Sequence, residues 1–543
     1  MSPVANSTPT AAQIIARGLH AAGCRHAFGM PGGEVLCVMD ALVEAGIAFH
    51  LVKHENAGGY MAEGAYHMTG APGILLATLG PGMANAVNVI ANAEQERVPL
   101  IYLTGCVDPA EALGYTHQVF DHRAVLAPIT KATFMAEDGA VDTLIERALT
   151  IATEGRPGPV HIDLPVSLAP KEQPHARSPK YARPAAMAPA EGAALEAARA
   201  AFARSERPIL IAGPELLFQG AAAAAAAFAR DFAIPVVTTY KAKGVLPEDD
   251  PLALGAGGLS PLADQHILPL IQTADLIVLA GYDPIEMRHA WCDPWDPDQV
   301  PVIEFTAAPN RHGVHRVTHS FAGDIAGGLA ALRNGAAPSA TWSNGAPAET
   351  KRALAAAFPA DQPWGPAAIA DEVRQVLPAH GVATVDSGAH RILLSQIWRC
   401  SQPRTLLQSS ALGTMGCALP LAIGAKLAAP ETPVVAFTGD AGLEMVLGEL
   451  ATLRDLKLPV VVVVFVDASL ALIEIKQRGA GLANAGVDFG ETDFAAVAQA
   501  LGGRGVDVTN RAELRQAVEA GLEAETFTVI AAHIDRGAYD GRF

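Results

Sequence analysis

The sequence predicts an α/β protein built from three doubly wound parallel sheets. Short apolar runs such as GILLATLG, RPILIAG and PVVVVVFVD alternate with segments of helical periodicity along the chain, which is typical of βαβ units. The runs are apolar throughout, as expected for strands that helices cover on both faces. Residues 460–469, VVVVVFVDAS, are the clearest example, and this run ends in Asp467.

Two stretches without periodicity divide the chain into three parts of similar size. Residues 170–190 are rich in proline and basic residues, and residues 334–349 are rich in Gly, Ala, Pro and Ser. A chain of 543 residues is long enough for about three domains. We therefore predict domains at 1–170, 190–335 and 355–535.

Composition excludes several classes of protein. The formal net charge of −18 argues against nucleic acid as a general partner. The six cysteines contain no C-x-x-C pair, and the first residues, MSPVANSTPTAAQ, do not resemble a signal peptide. The valine run is too short to span a bilayer. We expect a cytoplasmic protein with reduced thiols and no membrane partner.

Two acids follow apolar runs that are consecutive along the chain. Asp440 closes VVAFTGD and Asp467 closes PVVVVVFVD, and the segment between them has helical spacing from Leu443 to Leu453. Parallel neighbouring strands present their carboxyl ends at one edge of a sheet, so the two carboxylates are expected to meet there. Two adjacent carboxylates repel unless a cation lies between them, and Mg²⁺ suits such a place. The alternative is that each Asp only caps a helix.

Small residues beside Asp440 favour a phosphate ligand at the same edge. Gly439, Ala441 and Gly442 let backbone amides approach a phosphate at the start of a helix. The whole segment, GDAGLEMVLGELATLRDLKLPVVVVVFVDAS, resembles the thiamine-diphosphate motif, which runs from Gly-Asp-Gly to Asn-Asn. The resemblance implies that Asp440, Asp467 and the Ser469 carbonyl bind Mg²⁺. Ala441 and Asp467 depart from the motif, and Asp467 adds a charge.

A third acid begins a helical pattern in the first part of the chain. Glu55, in LVKHENAGGYMAEG, follows a short apolar run and precedes a turn of small residues. It is either a surface acid at a helix N-terminus or a buried carboxyl. By the resemblance this segment carries the activating glutamate, which shares a proton with the aminopyrimidine ring of thiamine diphosphate.

Further motifs resemble cofactor-binding segments of the same family. They are FGMPGGEV, GPGMANA, VDSGAH and SSALGTMGCALPLAIGA. Met415 corresponds to the residue that wedges beneath the thiazolium, although core packing is the usual role of methionine. The cofactor contacts that the resemblance implies in these motifs are Pro31, Gly80, Pro81, Asn85, Ser387, Gly388, His390, Gly413 and Met415. The three domains are then pyrimidine-binding, central and diphosphate-binding.

The chain most resembles the FAD-independent, catabolic acetolactate synthases, through YTHQVFDHRAVLAPITKAT, GYDPIE and VDFGETDF. This implies decarboxylation of pyruvate and carboligation to a second 2-oxo acid, giving 2-acetolactate and CO₂, without FAD. It also implies a homodimer or homotetramer with active sites at the subunit interface. His117 and Gln118 would line the substrate pocket. Lys476 is either a cation for an acidic substrate or a solvated helix lysine.

Three other functions compete with this prediction. The first is a decarboxylase or lyase that acts on another 2-oxo acid and releases an aldehyde. The second is a dehydrogenase-like nucleotide-binding protein, which the absence of a suitably placed G-x-G-x-x-G disfavours. The third is a non-catalytic binding subunit.

Overall fold

The computed structural model describes residues 8–178, 185–334 and 341–543. These residues form three six-stranded sheets in which every pair of neighbouring strands is parallel, and this confirms the predicted fold class. The strand orders are β2-β1-β3-β4-β6-β5, β12-β11-β10-β7-β8-β9 and β14-β13-β15-β16-β18-β17. The strands are β1 His26–Met30, β2 Ala48–Leu51, β3 Gly73–Ala77, β4 Leu100–Cys106, β5 Ala132–Met135, β6 Pro159–Pro165, β7 Pro208–Ala212, β8 Val236–Thr238, β9 Ala253–Ala256, β10 Leu276–Ala280, β11 Val302–Thr306, β12 His319–Ala322, β13 Val382–Val385, β14 Leu406–Gln408, β15 Val434–Gly439, β16 Val461–Val466, β17 Arg504–Val508 and β18 Thr528–His533.

Helices connect the strands, as parallel pairing requires. They are α1 Ala11–Ala21, α2 Leu36–Glu44, α3 Glu55–Thr69, α4 Pro81–Asn85, α5 Val87–Gln95, α6 His122–Leu126, α7 Val141–Thr153, α8 Ala193–Arg204, α9 Glu215–Phe218, α10 Ala222–Asp231, α11 Pro261–Gln272, α12 Ile325–Arg333, α13 Ala346–Ala357, α14 Pro366–Val376, α15 Ala389–Ile397, α16 Ala418–Ala428, α17 Asp440–Glu444, α18 Glu449–Leu456, α19 Ala471–Gly479, α20 Phe494–Ala500 and α21 Arg511–Leu522. None of the helices in the described part of the chain has the length and apolarity needed to cross a membrane.

The described chain divides into two compact units. Unit 1 contains the first sheet and consists of the described residues up to 178 with segments 420–431 and 448–456. Unit 2 contains the rest, including the second and third sheets. Those two sheets share one apolar cluster, in which Tyr282 and Trp291 pack with Ala389 and Leu393. The predicted domain boundaries stay predictions.

The sequence predicts one continuous helix between Asp440 and Asp467, and this prediction is wrong. Helix α17 ends at Glu444 and α18 begins at Glu449, so residues 445–448 interrupt it. The physical reason is that the two halves have different partners, because residues up to 447 belong to unit 2 and residues 448–456 to unit 1. The spacing of apolar residues shows which face of a helix is buried but not which part of the protein buries it, so it does not predict this break.

The predicted linker at 334–349 is also partly wrong. Its last four residues form the first turn of α13, where Pro347 is tolerated because the first amides of a helix need no partner. Trp342 is buried, and its Nε1 donates to the Pro208 carbonyl at 2.7 Å. Residues 335–340, and residues 179–184 of the other predicted linker, lie outside the described residues.

Candidate active site

The two acids meet at the carboxyl edge of the third sheet. Asp440 is the first residue after β15 and Asp467 the first after β16, and these strands are parallel neighbours. Asp440 Oδ2 accepts the backbone amides of Asp467 at 3.1 Å and Ala468 at 2.7 Å. Its Oδ1 accepts the Ala441 amide at 2.8 Å. One carboxylate therefore joins the two loops that follow these strands.

The electrostatics of the pair favour a cation. Burial, followed by the charge of Asp440, raises the pKa of Asp467 to about 7. Burial also raises the pKa of the Asp440 carboxyl. A negative charge is thus costly on either buried carboxyl, and on Asp467 the charge of Asp440 adds to the cost; a divalent cation beside them would offset it. Carboxylate and carbonyl oxygens are the ligands that Mg²⁺ prefers, so the donors present fit this ion.

A cavity of about 250 Å³ opens beside the pair in unit 2. Helix α19 and the segment before it contribute the apolar residues 470–473, and Phe465 and Tyr539 complete its wall. Sequence reasoning missed Tyr539, because nothing in the pattern of the C-terminal segment points to the sheet edge. All eleven residues predicted for the cofactor or metal in the third part of the chain line this cavity: Ser387, Gly388, His390, Gly413, Met415, Gly439, Asp440, Ala441, Gly442, Asp467 and Ser469.

One lining residue has an unused polar atom. His390 is buried, and its Nε2 has no hydrogen-bond partner among the described residues. Burial lowers the pKa of His390 to about 3, so the ring is neutral, and it stacks on Phe465 with 5.2 Å between centroids. A Cβ on Gly388 would lie 2.6 Å from His390 Cε1, so a larger residue there would displace the imidazole ring. The orphaned nitrogen and the small residues fit an anionic group such as a diphosphate.

Asp386 organises the loops that surround the cavity. It is fully buried, and its Oδ1 accepts the amides of Ser387 at 2.9 Å and Cys417 at 3.1 Å. Its Oδ2 accepts the Thr438 hydroxyl at 3.0 Å. A Cβ on Gly442 would lie 1.9 Å from this oxygen, which excludes any larger residue there. Asp386 lies in the VDSGAH motif, but only the contacts show that it joins its own loop to strand β15 and to the segment before α16.

Glu55 lies in unit 1 with the other predicted residues of the first part. It is the first residue of α3 and is 4 % exposed, which decides against a surface acid. Its Oε2 accepts from Asn85 Nδ2 at 2.9 Å, and no hydrogen bond between described residues reaches its Oε1. Asn85 ends α4, which Gly80 and Pro81 begin. Pro31 follows β1 directly and is half-buried.

The predicted substrate residues are placed differently from one another. Gln118 lines a second cavity, of about 340 Å³ in unit 1, together with Phe120, His122 and Arg123. His117 is exposed and packs edge-on against Tyr115, and Lys476 is exposed on α19. Neither lines one of these two cavities. For Lys476 this placement favours the solvated alternative.

Three family models match the chain over most of its length. They are the N-terminal thiamine pyrophosphate binding domain over residues 9–125, the central domain of the thiamine pyrophosphate enzymes over 195–332, and their C-terminal binding domain over 386–532. Together with the cavity at the sheet edge, they define the class of thiamine-diphosphate-dependent enzymes.

Comparison with curated relatives identifies the family within this class. The chain is 28 % identical to the acetolactate synthase of Bacillus subtilis, covering 96 % of this chain and 93 % of the relative. It is 30 % identical to a probable acetolactate synthase large subunit of Methanocaldococcus jannaschii, covering 93 % and 88 %. It is also 31 % identical to a probable 2-ketoarginine decarboxylase of Pseudomonas aeruginosa, covering 96 % and 94 %. The chain belongs to the acetolactate synthase family of thiamine-diphosphate-dependent enzymes.

Proposed function

We propose that the protein is a carboligase that decarboxylates pyruvate and joins the remaining two-carbon unit to a second 2-oxo acid, giving 2-acetolactate and CO₂. The observation that carries this proposal is the cavity of unit 2, whose lining combines an acid pair with a polar, glycine-rich cradle. The acetolactate synthase relatives support the choice of reaction.

The residues of the cavity would hold magnesium and thiamine diphosphate. Asp440, Asp467 and the Ser469 carbonyl would supply oxygen ligands of the kind that Mg²⁺ prefers. Ser387, Gly388 and His390 offer amide, hydroxyl and imidazole groups to the diphosphate. The other five lining residues of the prediction would surround the cofactor, and Met415 would contact its thiazolium ring. When bound, thiamine diphosphate supplies a carbon centre that stabilises the carbanion left by decarboxylation.

Glu55 would manage a proton at the aminopyrimidine ring of the cofactor. Asn85 orients the carboxyl by donating to Oε2, which leaves Oε1 to share a proton with a ring nitrogen. The turn from Gly80 to Asn85 packs beside it, since a Cβ on Gly82 would lie 3.3 Å from Glu55 Oε1. Pro31 and Pro81 remain predicted cofactor contacts. His117, Gln118 and Lys476 remain predicted substrate residues, and Gln118 has the support of a cavity position.

Product analysis tests the proposed reaction. The protein is incubated with pyruvate, thiamine diphosphate and Mg²⁺, and both 2-acetolactate and acetaldehyde are quantified. Accumulation of 2-acetolactate is expected. Acetaldehyde without 2-acetolactate would contradict carboligation and favour the second candidate, a decarboxylase. That candidate draws support from the decarboxylase relative in Pseudomonas aeruginosa, and a panel of 2-oxo acids would identify its substrate.

The role of Glu55 has a matched control on the same helix. Glu63 is equally buried in α3, and it accepts from Asn92 Nδ2 at 2.8 Å as Glu55 accepts from Asn85. Glu55→Gln is expected to lower turnover by about 10²–10⁴-fold, the usual contribution of a positioned proton-transfer group. Glu63→Gln is expected to retain turnover. Near wild-type activity of Glu55→Gln would refute the assigned role.

The proposal includes a homodimer or homotetramer with sites at the subunit interface, and an enzyme that works without FAD. Sedimentation measures the assembly, and a monomer with full activity would contradict the interface site. The absorbance of the purified protein and its activity without added flavin test the second point. A bound flavin that is required for turnover would contradict it.

A further inference from the structure

A network of hydrogen bonds between buried side chains lies in unit 1, and two of its members, His122 and Asp163, line the same cavity as Gln118. Asp163, near the end of β6, accepts the Thr104 hydroxyl at 2.6 Å through Oδ1. The same oxygen lies 2.8 Å from Nδ1 of His122, the first residue of α6. His161 approaches Thr104 Oγ1 at 2.7 Å with Nε2, and Thr133 Oγ1 at 2.8 Å with Nδ1. Thr104, His122, His161 and Asp163 are all buried.

The network determines which nitrogen of His122 carries the proton. Its Nε2 lies 3.2 Å from the backbone nitrogen of Gly80, which can only donate. Nε2 must therefore accept, and Nδ1 must carry the hydrogen that it donates to Asp163. Burial opposes a charge on Asp163, but the hydrogen bonds from His122 and His161 outweigh it and hold the pKa of Asp163 well below its usual range.

The amide that donates to His122 is that of Gly80, which lies where several residues of the predicted site pack closely together. Gly80 has φ +65° and precedes α4, and a Cβ on it would lie 2.7 Å from the Gln118 carbonyl oxygen. Gln118 itself has φ +60°, a conformation that costs a non-glycine residue energy and needs support from its surroundings. At the other end of α4, Asn85 donates to Glu55. Gln118, the α4 turn and Glu55 thus form one packed unit whose first amide is held by His122.

The same side chains have the spacing of a metal site, because ligand atoms of His122, His161 and Asp163 lie within 4.8 Å of one another. Every ring nitrogen in the group is nevertheless already engaged, by Asp163, Thr104, Thr133 or the Gly80 amide. Hydrogen bonding alone therefore accounts for the arrangement, and the open question is what the network holds in place.

We propose that His122 is a positioning residue that fixes the Gly80 turn through its Nε2 and thereby aligns Gln118 and Glu55. This inference rests on the proposed function for the meaning of that alignment. The hydrogen bond from the Gly80 amide to His122 does not depend on that function, because it forms in the protein without any ligand.

Two isosteric variants separate the two hydrogen bonds of His122. His122→Asn places an amide near the position of Nδ1, so it can donate to Asp163 but does not reach Gly80. His122→Gln places a carbonyl oxygen near the position of Nε2, so it can accept from Gly80 but does not engage Asp163. The control is His50→Asn, which changes another buried histidine of unit 1, one that lies 3.0 Å from His26.

The first readout is hydrogen exchange of the full-length protein without cofactor. The peptide that covers Gly80 to Asn85 is expected to exchange faster in His122→Asn than in the wild type. His122→Gln and the His50→Asn control are expected to keep the wild-type rate. Equal exchange in both His122 variants would overturn the proposal, whatever reaction the enzyme catalyses.

The second readout is CO₂ release from pyruvate with thiamine diphosphate and Mg²⁺. A misplaced turn in His122→Asn is expected to lower kcat by roughly ten- to a hundredfold, the scale of an ångström-sized misalignment. The KM for thiamine diphosphate should change less than kcat, because the residues proposed to hold Mg²⁺ and the diphosphate belong to unit 2 and not to the displaced turn. His122→Gln should recover most of kcat. Unchanged kcat in His122→Asn, or an equal loss in both variants, would overturn the proposal. A wild type that makes no 2-acetolactate would count only against the proposed function.

Discussion

Replacing Glu449 should loosen the start of the helix that carries Glu55. Glu449 begins α18 and is 1 % exposed within unit 1. Its Oε1 accepts the backbone amides of Lys53 at 3.0 Å and His54 at 3.1 Å, the two residues before Glu55. Its Oε2 accepts the Thr452 hydroxyl at 2.7 Å. One buried carboxylate thus holds the entry to α3.

The size of the expected effect follows from the backbone amides that a substitution of Glu449 would leave without an acceptor. Glu449→Ala removes the acceptor of two part-buried backbone amides. An unsatisfied buried donor costs about 1–3 kcal/mol, and a donor that water reaches costs less, so the local free energy of opening should fall by roughly 1–3 kcal/mol. Glu449→Gln keeps an oxygen at Oε1 and can donate to Thr452 Oγ1 from its amide. Its cost should be near the difference between a charged and a neutral hydrogen bond, about 1 kcal/mol.

Hydrogen exchange of the segment around residues 52–58 measures this local opening directly. A global denaturation curve is less suitable, because a chain of two compact units need not unfold in a single step. Turnover of pyruvate should fall in Glu449→Ala in parallel with the loss of protection, and Glu449→Gln should keep most of both. Wild-type protection of this segment in Glu449→Ala would refute the inference that Glu449 anchors the helix.

Three further outcomes are expected. Asp467→Ala should weaken binding of thiamine diphosphate in a Mg²⁺-dependent way, measured by calorimetry at several Mg²⁺ concentrations, and unchanged affinity and metal dependence would reduce Asp467 to a helix cap. Burial, and to a smaller extent the neighbouring His26, lowers the pKa of His50 from 6.5 to about 4. Between these pH values the unfolded chain binds a proton that the folded chain does not, so the free energy of unfolding should fall as the pH falls from 6.5 to 4. His50→Asn should remove up to about 3 kcal/mol of this dependence in equilibrium unfolding, and an unchanged pH profile would contradict it. Gly424→Ala should destabilise unit 1 by about 1–3 kcal/mol, because its Cβ would lie 1.9 Å from the Met61 carbonyl oxygen, whereas Gly479→Ala, at an open position, should be tolerated in the same thermal melt.

Buried strands were predictable from sequence, and most edge strands were not. The apolar runs at β4, β6 and β16 are buried along their whole length, so their composition reports their place in the middle of a sheet. Strand β17 lies at an edge, reads RGVDV and is only partly buried. A strand with one neighbour and a partly wet face needs no apolar run, and its sequence therefore gives no signal.

The sequence by itself determined that the two acids, Asp440 and Asp467, lie at one edge of the third sheet. Asp440 and Asp467 each follow a core strand, and strand–helix–strand connectivity makes those strands parallel neighbours, so local pattern and topology suffice to bring the carboxylates together. Gly439, Ala441 and Gly442 were predicted as small residues at the same edge, and the resemblance implied the other six; all nine line the same cavity. The resemblance identified Glu55, for which the sequence left a surface acid and a buried carboxyl open, and the structure shows that it is buried.

Only the tertiary structure decided which residues hold these groups in place. The anchor of α3 is Glu449, nearly 400 positions further along the chain. The network at His122 joins residues of β4, α6 and β6, and the break between α17 and α18 follows from a change of packing partner. Hydrogen bonds between residues far apart in sequence leave no period and no motif, because they depend on where separate elements pack.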